Sequence, residues 1–533
     1  MNHKCITGIV LSLFISPVLL FGQTEHKWGK LSGSLESNLG IYVKDRKIGN
    51  LDPENKFAIN TYLNLGYAIK NFRFGLQYEL YEPPLIGYPY QMEGNKLIQG
   101  FGEYAISRFS VRLGSIYEQF GNGLLFRAYE ERSLGINNSL LGVNARWNPV
   151  DGVKLKIVAG VPRKYLEYNK VWLYGVDGEV GISELLGFHS SVRFSVGGSW
   201  MLRNDREMIS DFYPAVVRLW SGRGDFGYGI FTLGGEYTMK SDAIGFDAEE
   251  RYFSKKGSAL LLNAGADMNG VGISGMFRRL EYMNFRIDNE IEAENVSLNY
   301  LPALTKQHKY TLAALYPYYV GKNSEIGGQL DIFGEIPAGY IGDKSLKINV
   351  NGSYYNKLER KEDGETYFWG MDGDKMFREV GIELERKWGR KVKTIFSFLI
   401  QHESESALQG YGNKMIKSKI VIGDILYKLT PKNSLRMELQ HMWTTTQEDQ
   451  AWYFGLLEYG FVPGWMIYGS DLCNYNTENS PVHYYNAGFS FSRGFFRGAA
   501  SYGRNRAGYQ CVGGVCRFVP DYTGVNMSLS MIF

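Results

Sequence analysis

The chain is 533 residues long, and its 58 Lys and Arg against 55 Asp and Glu leave a net charge of only +3. So small an imbalance excludes nucleic-acid recognition by bulk charge and offers no basic patch to a membrane surface. Tyrosine (38), phenylalanine (31) and glycine (64) are abundant and proline (15) is modest, yet beyond the N-terminus no apolar run approaches the roughly 18 residues of a spanning helix.

At the N-terminus, Lys4 precedes a short apolar stretch, Ile6 to Phe21, broken by Pro17 and closed by Gly22. This predicts a secretory signal peptide over 1–22, with cleavage before Gln23. The stretch is too short and wrongly flanked to span, and Cys5 lacks the context of a lipoprotein. Strand-like alternation starts at Leu31, directly after the leader, which leaves no room for an N-terminal plug domain.

Alternation then continues along the chain. Phe57, Ile59, Thr61, Leu63, Leu65, Tyr67 and Ile69 share one face of an extended segment, because strand side chains alternate with period two. Lys70-Asn71 turns this row into Phe72, Phe74, Leu76, Tyr78 and Leu80, setting Ile69 opposite Phe72 and Tyr67 opposite Phe74. Ser107-Arg108 and Asn269-Gly270 make similar hairpins, and Arg493-Gly494 links Phe489 and Phe491 to Phe495.

Short turns fall near 70, 107, 148, 269, 387, 430 and 493. Long polar segments fall near 44–56, 82–95, 119–138, 238–257, 356–375, 402–416, 471–483 and 504–520. Bacterial barrels alternate short periplasmic turns with long extracellular loops. With a further turn near Thr305–His308, strict alternation gives about 26 strands and both termini in the periplasm, with 22 or 24 strands if 282–345 folds otherwise. The predicted fold is therefore all-β: a single large antiparallel transmembrane barrel over 23–533. A soluble propeller or adhesin array would need repeats or several domains, and none is visible.

Opposite the apolar rows lie the residues expected to line the lumen: Glu36, Asn38, Asn60, Asn64, Arg73, Gln77, Glu79, Arg112 and Glu118. Further on, Val380, Ile382 and Leu384 face outward, which turns Glu379, Glu383 and Glu385 inward. On the next strand Lys391 and Lys393 turn inward. A five-residue turn over 386–390 would set Glu385 opposite Lys391 and Glu383 opposite Lys393, and such pairs add a few tenths to about 1 kcal/mol. Charges of both signs imply a wet interior without strong ion selectivity, whether they form a selectivity element or a ladder that only holds the wall.

Phe120 to Gly142 reads FGNGLLFRAYEERSLGINNSLLG. Arg127, Glu130, Glu131 and Arg132 cannot face lipid, while Leu124, Leu125 and Phe126 are ill suited to water. A loop folded into the lumen as a constriction satisfies both groups, and a compact surface loop packed on its neighbours does so too.

Other chemistry has little support. Gly100-x-Gly102-x-x-Ala105 matches a dinucleotide fingerprint by letters but sits in a strand with no helix after it. No metallopeptidase or serine-hydrolase motif occurs and the seven His are scattered, so neither enzyme chemistry, a cofactor nor a metal is expected. Asp363, Glu365, Asp372 and Asp374 form an acidic loop segment that is either solvated or a calcium site. Cys511 and Cys516, in CVGGVC, are expected to form a disulfide in an oxidising compartment. Cys473 is left odd, in another long segment.

The last strand sets Thr523, Val525, Met527, Leu529, Met531 and Phe533 on one face and Gly524, Asn526, Ser528 and Ser530 on the other. A strand ending on phenylalanine resembles those of outer-membrane barrels, which the barrel-assembly machinery reads. With FGNGLLFRAYEERSLG and CVGGVCR, the whole mature chain resembles an uncharacterised family of outer-membrane β-barrels of Bacteroidota-type bacteria. That resemblance implies the fold and the location in outer-membrane lipid, and no substrate or catalytic residue. The function expected is a passive or weakly selective channel narrowed by inward loops. The alternative is a non-conducting barrel that docks partner proteins in a surface or periplasmic assembly.

Overall fold

The structure, a computed structural model, describes residues 29–49, 55–187, 191–205, 214–246, 252–287, 296–405, 414–445, 449–477 and 481–533. The leader expected at 1–22, with Cys5, lies outside them. Among the described residues no helix is long and apolar enough to cross a membrane. Antiparallel strands instead form one closed barrel of 24, with a short strand outside it.

The first and last strands close the ring. Lys30–Val43 pairs with Tyr522–Ile532 from Ser34↔Ile532 to Val43↔Thr523. Gly33 and Phe533 exchange backbone hydrogen bonds of 2.7 and 2.9 Å. A Cβ at 33 would lie 2.4 Å from the tip of the Phe533 ring, so a larger residue there would have to displace that ring. Each wall strand between them pairs with the wall strands before and after it, so the described wall has no free sheet edge.

The alternation read from the sequence sets the two faces. Phe72, Phe74, Leu113, Leu233, Leu439, Leu457 and Phe489 are exposed on the outside, while Asn60, Gln77, Glu79, Glu236, Glu379 and Gln440 are buried toward the lumen. The hairpins at 70, 107 and 269 have the expected register, with Ile69↔Phe72, Ile106↔Phe109 and Met268↔Val271.

Several expectations are corrected. The strands number 24, not 26, because the described parts of the stretch 282–323, namely 282–287 and 296–323, form no wall hairpin and the expected turn at Thr305–His308 lies inside the barrel. The turn after Trp388 covers 389–391, not 386–390: Trp388 faces Val392, with Gly389 at φ 79°. Glu385 therefore faces Ile395 and Glu383 faces Ser397, and Lys391 lies in the turn. Lys393 still reaches Glu385 diagonally, at 2.8 Å. The turn at 493 is shifted by one residue: Arg493 pairs with Phe496, leaving Gly494-Phe495 as its tip. Finally, Phe231–Phe246 and Tyr252–Met268 carry strand through most of 238–257, and Trp465–Thr477 runs well into 471–483. At a rim both faces can be polar, so the apolar row stops while the ladder of hydrogen bonds goes on.

The two faces should respond differently to charge. Leu439→Arg, in mid-wall and outward-facing, should cost about 2–4 kcal/mol of folding stability in lipid vesicles. Ser490→Lys, on the lumen face beside Ala499, should cost much less. Equal costs in a denaturant titration would show that the outer face is not apolar by requirement.

Candidate functional site

Three long connections at the long-loop end fold into the barrel, as does 82–93, whose Leu85 and Ile86 N–H groups donate to Asn60 and Tyr42 of the wall. Segment 117–139 brings in Phe120, Leu124, Leu125, Phe126 and Ala128, all 3% exposed or less. They pack with Met283, Phe285, Leu298 and Leu301 of segment 282–323 and with wall residues such as Leu173, Met201, Leu219 and Leu280. Farther along that segment, Tyr310, Leu312, Ala313 and Tyr316 pack against Leu399, Ile420, Met442 and Trp452 of the wall. The third connection is a hairpin, Gly508–Val512 and Val515–Val519, crossed by the Cys511–Cys516 disulfide.

Polar groups lock these pieces together, as buried amides and carbonyls require. Arg127 N–H donates to the Leu298 carbonyl and Tyr300 N–H to the Gly123 carbonyl, each at 2.9 Å. Asn138 Nδ2 donates to the carbonyls of Arg127 and Ser297, and Asn299 Nδ2 to those of Leu124 and Met283. The hairpin tip docks on the same assembly. Tyr300 Oη donates to the Gly513 carbonyl (2.7 Å) and Ala303 N–H to the Gly514 carbonyl (2.8 Å). A Cβ at Gly514 would stand 2.5 Å from the Ala303 carbonyl, and its φ is 80°. Glycine is thus needed there both for the turn and for the close approach.

The wall holds the assembly by charge. Glu236 Oε2 accepts from both the backbone N–H and the side-chain amide of Asn122, at 2.7 and 2.9 Å. Arg278 donates through Nε and Nη2 to Glu325, while Tyr318 Oη donates to the other oxygen of that carboxylate at 2.6 Å. Burial, with the adjacent Glu325 carboxylate, pushes the Tyr318 phenol well above its usual range. His308 Nε2 lies 2.8 Å from Glu379, which also accepts from Gln401.

Of the lumen residues expected from sequence, Glu79 forms a fully buried two-bond pair with Arg163, 2.6 Å on each side. Arg73 and Arg112 both pair with Glu103. Glu118 pairs with Arg146 at 2.8 Å and with Lys156 at 3.2 Å. Glu36 pairs with Arg132 at 3.0 Å. The charged residues of 119–138 are also placed. Arg127 stacks between the rings of Tyr129 and Tyr300, and Arg132 bridges Glu36 and Glu130 over Tyr62. Glu130 accepts from Gln77, and Glu131 caps the turn at Ser133.

Sequence reasoning missed the inward course of 282–323 and of the CVGGVC hairpin. Neither carries strand alternation, but runs such as LNYLPALTKQHKYTLAALYPYYV hold too much apolar surface for an exposed loop, and that is the signal that could have found them. It also placed Cys473 in a loop. The free, buried Cys473 lies on a wall strand, with its Sγ 3.7 Å from His483 Nε2 and His483 Nδ1 2.7 Å from Asp471. Cys473 is 1% exposed, so this chain of groups is closed to a substrate as it stands. In the acidic loop, Asp374 and Glu365 are occupied by Lys357 and Lys361.

The apolar inner packing covers most of the wall but not the closing seam. There the lumen face carries small polar side chains: Ser34, Glu36 and Asn38 on the first strand, Asn526, Ser528 and Ser530 on the last, Ser501 on Phe496–Asn505, and Asn486 and Ser490 on Val482–Arg493. The inner apolar clusters draw no residue from the first strand, from Phe496–Asn505 or from the last strand. Glu36, Asn38, Ser501, Asn526 and Ser528 border a cavity of about 370 Å³ between wall and inner loops.

No curated protein matches the chain in sequence. Solved structures of similar shape include the siderophore receptor PirA from Pseudomonas aeruginosa, with 9% identity, TM-score 0.43, and coverage of 96% of this chain and 81% of that one. The P pilus usher (PapC) translocation pore has 11% identity, TM-score 0.40, and coverage of 94% and 99%. OccK3 (OpdO) from Pseudomonas aeruginosa has 11% identity, TM-score 0.36, and coverage of 78% and 96%. A family model, described as a family of unknown function (DUF6029), matches residues 1–533, and the chain belongs to that family.

The inner assembly should depend on its buried charges. Arg278→Met leaves Glu325 buried without its cation, which should cost about 3–5 kcal/mol. Limited proteolysis in detergent should then cut within 117–139 or 296–323 while the barrel still runs as a folded, heat-modifiable band. Unchanged protection of those segments would show that the pair does not hold them.

Proposed function

We propose that this family member is an outer-membrane channel for small polar solutes, closed over most of its width by its own loops and passable along the closing seam. The long-loop end is then extracellular and the short-turn end, with both termini, periplasmic, following the habit of bacterial barrels. The strip of Ser and Asn side chains that the inner apolar packing leaves uncovered carries this reading. Water and solute need such a surface, because an apolar wall against an apolar plug offers neither hydrogen bonds nor room.

Below the inner loops the short-turn half of the lumen is lined by mixed charges. One cavity of about 510 Å³ is bordered by Arg73, Glu103, Arg146 and Lys156, and one of about 400 Å³ by Lys347, Glu383 and Glu385. Neutralised pairs of this kind make a hydrated vestibule with little preference for either ion sign. The outward aromatic rows suit outer-membrane lipid, and the strand ending at Phe533 suits recognition by the assembly machinery.

A second reading, a sealed barrel that docks partner proteins, is favoured by the dense packing of Phe120, Leu125 and Phe126 against the wall. Single-channel recording separates the two. The channel reading expects small, stable conductance in planar bilayers, and it expects deletion of 122–137 to raise that conductance several-fold by removing one side of the constriction. Silent bilayers with folded protein would end the channel reading. An unchanged conductance after the deletion would remove 119–138 as the constriction.

A further inference from the structure

The cavity at the seam is walled by Asn38 and Tyr42 of the first strand, Tyr522 and Asn526 of the last, Tyr88 of segment 82–93, and Arg517 of the inner hairpin. Its volume, about 370 Å³, lies in the range of small-molecule sites. Two features mark it: a guanidinium with no carboxylate partner among the described residues and a set of phenols around it.

Several buried guanidiniums in the barrel have carboxylate partners. Arg163 has Glu79, Arg278 has Glu325, and Arg132, beside this cavity, has Glu36 and Glu130. Arg517 has none among the described residues. Its Nη2 donates to the Ser133 carbonyl at 3.1 Å and to the neutral Gln510 Oε1 at 3.2 Å. Its Nε and Nη1 are buried and donate to nothing. The group stacks over Tyr88, 3.9 Å from the ring centre. Burial pushes the Arg517 guanidinium down from its usual range, the physical sign of a cation short of an anion.

Around it stand groups suited to a hydroxylated solute. Tyr42 Oη accepts from Ile86 N–H at 3.1 Å, which leaves its own proton to donate. The Tyr42 and Tyr522 rings meet edge to face, 5.2 Å apart, and offer a flat apolar surface. Glu36 also lines the cavity, spent on Arg132 and Asn38. A nearby carboxylate tolerates one negative charge on the solute better than two, which favours a carboxylate over a phosphate.

We infer that this cavity binds a small, hydroxyl-rich carboxylate of sugar-acid size, its carboxylate on Arg517 in place of the Gln510 amide oxygen and its hydroxyl groups toward Tyr42, Asn38 and Asn526. The site deepens the channel reading and rests on it only for its place on the route. Binding at equilibrium needs no conduction, so a barrel that binds but stays silent in bilayers would end the route and keep the site.

The test is calorimetry on the full-length protein in detergent, with glucuronate, glucose and glucose 6-phosphate as probes. Glucuronate should bind about tenfold or more tighter than glucose, the gain of a charge-assisted bond. Arg517→Gln should remove that preference. Gln510→Glu, which supplies a carboxylate from within and does not disturb the cation, should abolish glucuronate binding in a folded barrel, and so decides the matter if Arg517→Gln fails to fold. Equal binding of glucuronate and glucose would overturn the proposal, as would a preference that survives either substitution. Tighter binding of glucose 6-phosphate than of glucuronate would overturn the carboxylate assignment.

Discussion

Hydrocarbon offers no hydrogen-bond partner to a peptide group, so a sheet that lies in it must leave no edge. Here that condition is met at one seam, where the first strand accepts the last from Ser34↔Ile532 to Val43↔Thr523 and Gly33 and Phe533 exchange backbone bonds. The rest of the architecture depends on this closure. A ring of 24 strands is thereby fixed, and the diameter of a closed barrel grows roughly with its strand count.

So wide a ring creates an interior that its wall side chains cannot fill. The chain fills it with its own loops, and two kinds of interaction divide the work. Apolar packing of Phe120, Leu125, Phe126, Phe285 and Leu312 supplies the bulk of the contact. Buried or half-buried charged contacts, Glu236 with Asn122, Glu36 with Arg132, and Tyr318 with Glu325 of the wall pair Arg278–Glu325, fix the register of loop against wall. A buried pair adds little net stability, since desolvation offsets attraction, yet breaking it leaves a charge stranded. The pairs therefore specify one arrangement of the loops more than they strengthen it. Along the seam, where Arg132–Glu36 ties loop to wall but the apolar clusters take no residue from the closing strands, polar wall and cavity remain.

Much of the wall was legible in the sequence because a strand with water on one side and lipid on the other needs period-two alternation. Phe57 to Ile69 and Phe72 to Leu80 announce both their faces and their register in this way. The lumen positions of Glu79, Arg112 and Glu379 follow from it without reference to any partner. The inward loops were only half legible. Apolar and charged residues crowded together in 120–142 demanded burial, but a surface loop could have satisfied them. The run from 296 to 320 has no periodicity, because an irregular segment packed on all sides obeys no face rule. Register at the turn after Trp388 was missed because Gly389, at φ 79°, shortens the turn by a means that hydrophobic pattern does not record.

By itself the sequence determined a single all-β wall, the side each of its residues presents, and the charged composition of the lumen, since all three follow from local alternation. Only the tertiary structure decided the strand number, the filling of the lumen by 117–139, 296–323 and the disulfide hairpin, and the isolation of Arg517 from every described carboxylate. Those are set by contacts between residues hundreds of positions apart, such as Tyr300 with Gly513 or Asn122 with Glu236. No local pattern encodes which of many equally plausible partners such a residue will meet.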